Sequence, residues 1–197
     1  MARAKLRTPA LRERVVQVAM STLADHGVAG FTTRRVAAGA STSIPAVYEL
    51  FGDKAGLVRE VFFEGFRQLG GELVDLVDSD DVRADLERVV YVLRAFARDN
   101  PALAEVMFSR PFADFDPGPE DVAAGAMVRE FIVGRVRRCV DAGLLSGDPT
   151  DIAHVVLAMA QGLATQETAG WLGRSDVSVD RRWTIAFRGL LDGLRPT

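Results

Sequence analysis

The sequence predicts an all-α protein of about nine helices. Apolar residues recur at three- and four-residue steps in nearly every segment. No stretch shows the sustained apolar–polar alternation of a half-buried strand. Prolines, glycines and short polar side chains stand at the joints between the periodic segments. With 197 residues, 48% of them hydrophobic and 26% charged, the chain can bury a core, which excludes a disordered class.

Thr8 and Pro9 have the character of an N-cap and first helical residue, Leu11, Val15, Val18, Ala19, Thr22 and Leu23 mark one buried face, and Gly27 ends the segment. A short helix over about 33–40 follows, then a tight polar link at 41–43 and a second short helix to about Leu50. Asp53 caps a longer helix bearing Leu57, Val61, Phe62 and Leu69. Asp81 opens the next, which must end before Asn100, because a residue preceding proline is pushed out of the helical region. A short helical piece runs from Pro101 toward Pro111, and 112–119 reads as a loop. Residues 120–142 are predicted as one helix stopped by Gly143. Pro149 opens another, with Ile152, Val155, Val156, Met159 and Leu163 in a stripe. The last helix repeats Trp183, Ala186, Phe187, Leu190, Leu191 and Leu194.

The net charge of −3 hides an asymmetry. Residues 1–60 carry nine Lys or Arg against five acids, and the remainder 15 against 22. A basic amino-terminal module on an acidic body suits a protein whose one end meets a polyanion. Membrane and secretory classes are not expected. The least interrupted apolar stretch, 152–166, holds His154, Gln161 and Gln166 and falls short of the roughly 20 residues a bilayer span needs. Arg12, Glu13 and Arg14 follow Arg3, Lys5 and Arg7 where a signal peptide needs its apolar core. The single cysteine, Cys139, fits a reducing compartment, so a cytoplasmic location is expected.

Residues 31–57 carry the functional signal. Two short helices joined by a three- or four-residue turn make a helix-turn-helix, whose second helix enters the major groove of DNA. Ala37, Ala38, Gly39 and Ala40 are small enough for close packing, and Val36, Val47 and Phe51 anchor the pair to the first helix. Ser43 is placed to cap the recognition helix. Thr32, Thr33, Tyr48 and Lys54 are expected on the phosphate backbone, with both threonine hydroxyls pointing the same way, and Arg34 is expected to bind DNA as well. Thr42, Ile44, Pro45 and Ala46 are expected at base edges.

Ala19, Gly27, Thr32, Val36, Ala37, Ala40, Ser43, Val47, Tyr48, Phe51, Lys54 and Leu57 stand at the spacing of one family. The stretch from about Arg12 to Val61 resembles the DNA-binding domain of the TetR family of bacterial transcriptional repressors. Ser41 and Thr42 stand where that family usually has Gly-Val, Pro45 where it has a small residue, and Glu49 and Leu50 where a polar residue followed by His or Tyr is common. The resemblance implies a DNA-binding domain over 1–58 and a ligand-binding and dimerisation domain over 59–197. The apolar stripes over 152–163 and 183–194 exceed what a small domain needs internally, which predicts a homodimer through the last two helices and hence a roughly palindromic operator. The resemblance implies a small apolar effector. Phe62, Phe66, Phe96, Met107, Phe108, Met127, Phe131 and Trp171 are the candidate effector residues. The basic arm Arg3, Lys5 and Arg7 resembles extensions that lie along the minor groove.

Enzymatic chemistry finds no motif. There is no Gly-x-x-x-x-Gly-Lys-Ser/Thr phosphate loop, no Gly-x-Gly-x-x-Gly turn and no Gly-x-Ser-x-Gly elbow. One cysteine and the distant His26 and His154 make a poor metal shell, so neither a metal nor a cofactor is expected.

Overall fold

The computed structural model describes residues 8–109, 111–116 and 118–196. Among these, ten helical segments and no strand are found: α1 (Pro9–Gly30), α2 (Thr33–Gly39), α3 (Ile44–Phe51), α4 (Lys54–Val74), α5 (Val82–Asp99), α6 (Pro101–Ser109), α7 (Pro119–Ala124), α8 (Ala126–Asp141), α9 (Pro149–Thr168) and α10 (Asp176–Gly193). The helix predicted over 120–142 is interrupted at Gly125, which separates α7 from α8. The arm Arg3, Lys5 and Arg7 lies outside the described residues.

Local chemistry sets the helix ends. Thr8 Oγ1 accepts from the Leu11 N–H at 3.3 Å, and Gly27, at φ 62°, interrupts α1 one turn before its last residue. Asp53 Oδ1 accepts from Gly56 N–H at 2.8 Å and Asp81 Oδ1 from Ala84 N–H at 2.9 Å, as their N-cap assignments require.

The chain groups into two compact units whose limits differ from the expected boundary after residue 58. Among the described residues, the first comprises 8–66 and those within 100–122. Its core joins Leu11, Val15, Ala19 and Leu23 of α1 with Val36, Ala37 and Ala40 of the α2 region, Val47 of α3, and Leu57 and Val61 of α4. α6 packs on α1, which draws residues from the middle of the chain into this unit. In the segment after α6, Phe112 packs at a tilt on Phe31 (centroids 5.5 Å apart) and Phe115 edge to face on Phe62 (5.4 Å). Asp121, buried, receives Arg59 Nε at 2.9 Å.

Among the described residues, the second unit comprises 67–99 and 123–196. Here α5 packs on α8 and α9, α8 on α9, and α9 on α10. Leu86, Val89, Phe96, Ile132, Val136, Val156, Trp183 and Phe187 form its core. Arg94 of α5 holds both oxygens of Glu167 on α9 (2.8 and 2.9 Å) and Asp180 on α10 (2.7 Å), and Trp183 Nε1 donates to Glu167 at 2.6 Å. No helix among the described residues is long and apolar enough to cross a membrane.

Candidate nucleic-acid interface

The helix pair sits on α1 through its small residues. Gly39 faces Val18 so closely that an added Cβ would lie 2.7 Å from Val18 Cγ1, and Ala37 and Ala40 are buried beside it. Arg14 Nε donates to the Ala40 carbonyl at 3.1 Å, and Arg35 Nη1 to the Gly30 carbonyl at 2.8 Å. Arg12 grips both oxygens of Glu60 (2.9 and 2.6 Å) and lies over the Phe51 ring. Several of the bases behind the amino-terminal charge surplus therefore hold the module together. Arg34 is exposed, and Lys54, half-buried at the start of α4, rests its Nζ 4.9 Å from the Phe112 ring centroid.

The turn between α2 and α3 closes with Thr42 N–H on the Ala37 carbonyl (2.9 Å) and Ser41 N–H on the Ala38 carbonyl (3.0 Å). That pair of bonds is the Schellman arrangement, which requires a left-handed residue between helix and turn. Gly143 after α8 and Gly170 after α9 fill that position in turns with the same bonding. After α2 it is Ser41, at φ 52°, the one non-glycine residue with positive φ among those described. A side chain in that region costs about 1–2 kcal/mol, partly offset by the extra unfolded-state entropy of glycine. Ser41→Gly is therefore expected to stabilise the protein by about 0.5–1 kcal/mol. Thermal unfolding followed by circular dichroism should show a midpoint higher by about 1–4 °C, and a lower midpoint would contradict the strain.

Ser43 caps α3, its Oγ accepting from Ala46 N–H at 3.3 Å. Val47 is fully buried, so α3 turns its opposite side outward, where Ser43, Pro45, Tyr48 and Glu49 are exposed and Ile44 and Ala46 half-buried. Tyr48 is 41% exposed. Two candidates are placed otherwise than expected. Thr32 is exposed and caps α2 by accepting from Arg35 N–H at 3.3 Å, but Thr33 is buried. Thr32 is the extended N-cap residue and Thr33 the first residue of α2, and only Thr32 is exposed. Thr42 Oγ1 is likewise buried, without a hydrogen-bond partner among the described residues, and its hydroxyl is not offered to a base edge.

The effector candidates divide between the units. In the first, Phe62 meets Phe66 edge to face (centroids 4.9 Å apart), Phe66 meets Phe108 likewise (5.9 Å), and Met107 lies buried against Gly65. In the second, Phe96 is buried and Phe131 lies under the Arg135 guanidinium. Met127 is half-exposed against Gly70. Trp171 is 78% exposed in the turn after α9, so it lines no interior space of its unit. A hollow of about 360 Å³ in the second unit is instead lined by Arg83, Cys139, Leu144, Leu145, Leu191 and Arg195, none of them among the candidates. Burial pushes the Cys139 thiol up from its ordinary value.

Residues 15–61 match the family described as bacterial regulatory proteins, tetR family, and residues 86–190 match the tetracyclin repressor-like C-terminal domain. An HTH-type transcriptional regulator of Mycobacterium tuberculosis is 26% identical over 145 residues, which cover 70% of this chain and 59% of that protein. The match thus spans about three fifths of the length of that curated relative. A solved protein of unknown function from Rhodococcus sp. RHA1 superposes with a TM-score of 0.80 at 27% identity, covering 98% of this chain and all of that one. A TetR variant from Acinetobacter baumannii in complex with minocycline has the same fold, with a TM-score of 0.66 at 17% identity over 91% of this chain and 93% of that one.

Proposed function

Because the chain belongs to the TetR family of bacterial regulatory proteins and is a DNA-binding transcription regulator, not an enzyme, we propose that it is a cytoplasmic repressor. In this reading it binds a palindromic operator as a homodimer and is released by a small apolar effector. The observation that carries the reading is the capped, outward-facing α3, with Tyr48 exposed on it and Lys54 at the first residue of the next helix. A phenolic hydroxyl and an ammonium beside a helix start suit phosphate oxygens, fixing register without reading sequence.

The dimer uses α9 and α10. Their inner stripes (Ile152, Val156 and Ala160; Trp183, Phe187 and Leu191) are consumed by the core, whereas Val155 and Ile185 stay 47% and 63% exposed. A two-fold pairing of these faces sets two recognition helices about 34–36 Å apart, one turn of DNA. The effector acts by binding DNA-competent and incompetent forms unequally, with α4 as the coupling element. A typical coupling weakens operator binding roughly 5- to 150-fold. The minocycline-bound neighbour supports a small-molecule effector in kind, without naming this one.

The test is duplex binding over a salt series. Lys54→Ala and Tyr48→Phe are expected to weaken binding to all sequences alike, and Lys54→Ala to flatten the slope of log affinity against log salt by about 0.9 per subunit. A change in base preference at unaltered slope would reverse the assignment, and a wild-type protein that ignores duplexes at low ionic strength would overturn the function.

A further inference from the structure

The composition of α3 restricts what it can read. Between Ile44 and Phe51 there is no Arg, Lys, Asn or Gln, and the one acidic or basic side chain is Glu49. The usual bidentate partners of guanine and adenine are therefore missing from the recognition helix. Helical geometry then decides which residue stands foremost. Val47 points into the core, and at about 100° per residue Pro45 and Glu49 each lie within roughly 20° of the opposite pole. Both are exposed. Proline has no N–H to offer, so the polar chemistry at that pole belongs to the Glu49 carboxylate, which accepts hydrogen bonds and cannot donate them when ionised.

The major-groove edges answer such a group unequally. Guanine shows two acceptors and thymine an acceptor beside a methyl, and both repel or ignore a carboxylate. Adenine has an amino donor, but its N7 acceptor lies alongside. Cytosine offers its N4 amino group with no acceptor next to it on the same base. We propose that Glu49 is a specificity-determining residue that accepts a hydrogen bond from a cytosine N4 amino group, giving each half-site one fixed C·G pair. The inference rests on the DNA-binding reading above. Glu49 also works by exclusion: on any site lacking that amino group, its carboxylate lies against base acceptors and phosphates of like sign, and binding weakens there.

The experiment is selection from random duplexes with full-length wild type, Glu49→Ala and Glu49→Gln. Affinities are then measured on the selected duplex, on the same duplex with the C·G pair replaced, and on random duplex. Wild type is expected to select an invariant C·G pair in each half-site. Glu49→Ala should keep the rest of the site but lose discrimination at that pair by roughly 5- to 150-fold per half-site, while binding random duplex more tightly. Glu49→Gln should move the preference at the same position to A·T, because the amide pairs bidentately with adenine. If Glu49→Ala selects the wild-type sequence with undiminished discrimination, this inference falls and the DNA-binding reading stands. If wild type enriches no sequence at all, both fall together.

Discussion

Ile185→Glu is expected to convert the protein from dimer to monomer and to weaken binding to a two-half-site operator by about 100- to 10,000-fold, with little loss of folded structure. The separation of effects follows from the two faces of α10. Trp183 and Phe187, two residues to either side, are buried, whereas Ile185 is 63% exposed. A carboxylate at 185 therefore leaves the core of its own unit intact. In an isologous interface every substitution enters twice, so two new charges must be desolvated where two isoleucines were. Affinity falls so far because the second half-site contact in a dimer is intramolecular, and a monomer loses that effective concentration with every residue of α3 unchanged. Sedimentation at micromolar concentration would report the monomer. The variant should bind single half-site duplexes as wild type does. A variant that stays dimeric, or keeps full operator affinity as a monomer, would refute the α9–α10 pairing.

What could be read from the sequence was what neighbouring residues decide between themselves. Thr8 with Pro9, Ser43, Asp53 and Asp81 each cap a helix within three residues of themselves, and the structure has those bonds. Asn100 before Pro101 ends α5 for an equally local steric reason. The illegible part depends on contacts between distant residues. Nothing around Phe112 or Phe115 indicates that one packs on Phe31 and the other on Phe62, yet these contacts accompany α6 and its loop into the unit of the helix-turn-helix. Hydrophobicity did not separate Phe96, which is buried, from Trp171, which is not. The direction of a side chain was legible where a buried neighbour fixes the phase of the helix. Val47 fixes it for α3.

Asp85→Asn is expected to cost about 3–5 kcal/mol of stability at neutral pH, a large share of the roughly 5–15 kcal/mol typical of a domain. Asp85 is buried in the first turn of α5 and sits among donors. Ser79 N–H donates to it at 2.9 Å, Ser79 Oγ at 2.6 Å and Arg138 Nη1 at 2.5 Å, and Arg88 pairs with it as well. An amide keeps the shape but turns a donor toward these groups and removes the charge that both arginines face. Burial alone would raise the carboxyl pKa. The hydrogen bonds from Ser79 and Arg138 and the charge of Arg88 outweigh it, holding the group well below the usual carboxylate range. A depressed folded-state pKa means that the unfolded chain takes up the proton first as pH falls. The stabilisation from Asp85 is therefore complete above the unfolded value of about 3.9 and is lost as pH drops from there toward the lower folded value. Urea unfolding of both proteins should show a wide stability gap at pH 7 that narrows steadily below about pH 4. A gap that is absent, or that stays constant with pH, would mean that Asp85 is held no more tightly in the folded chain than in the unfolded one.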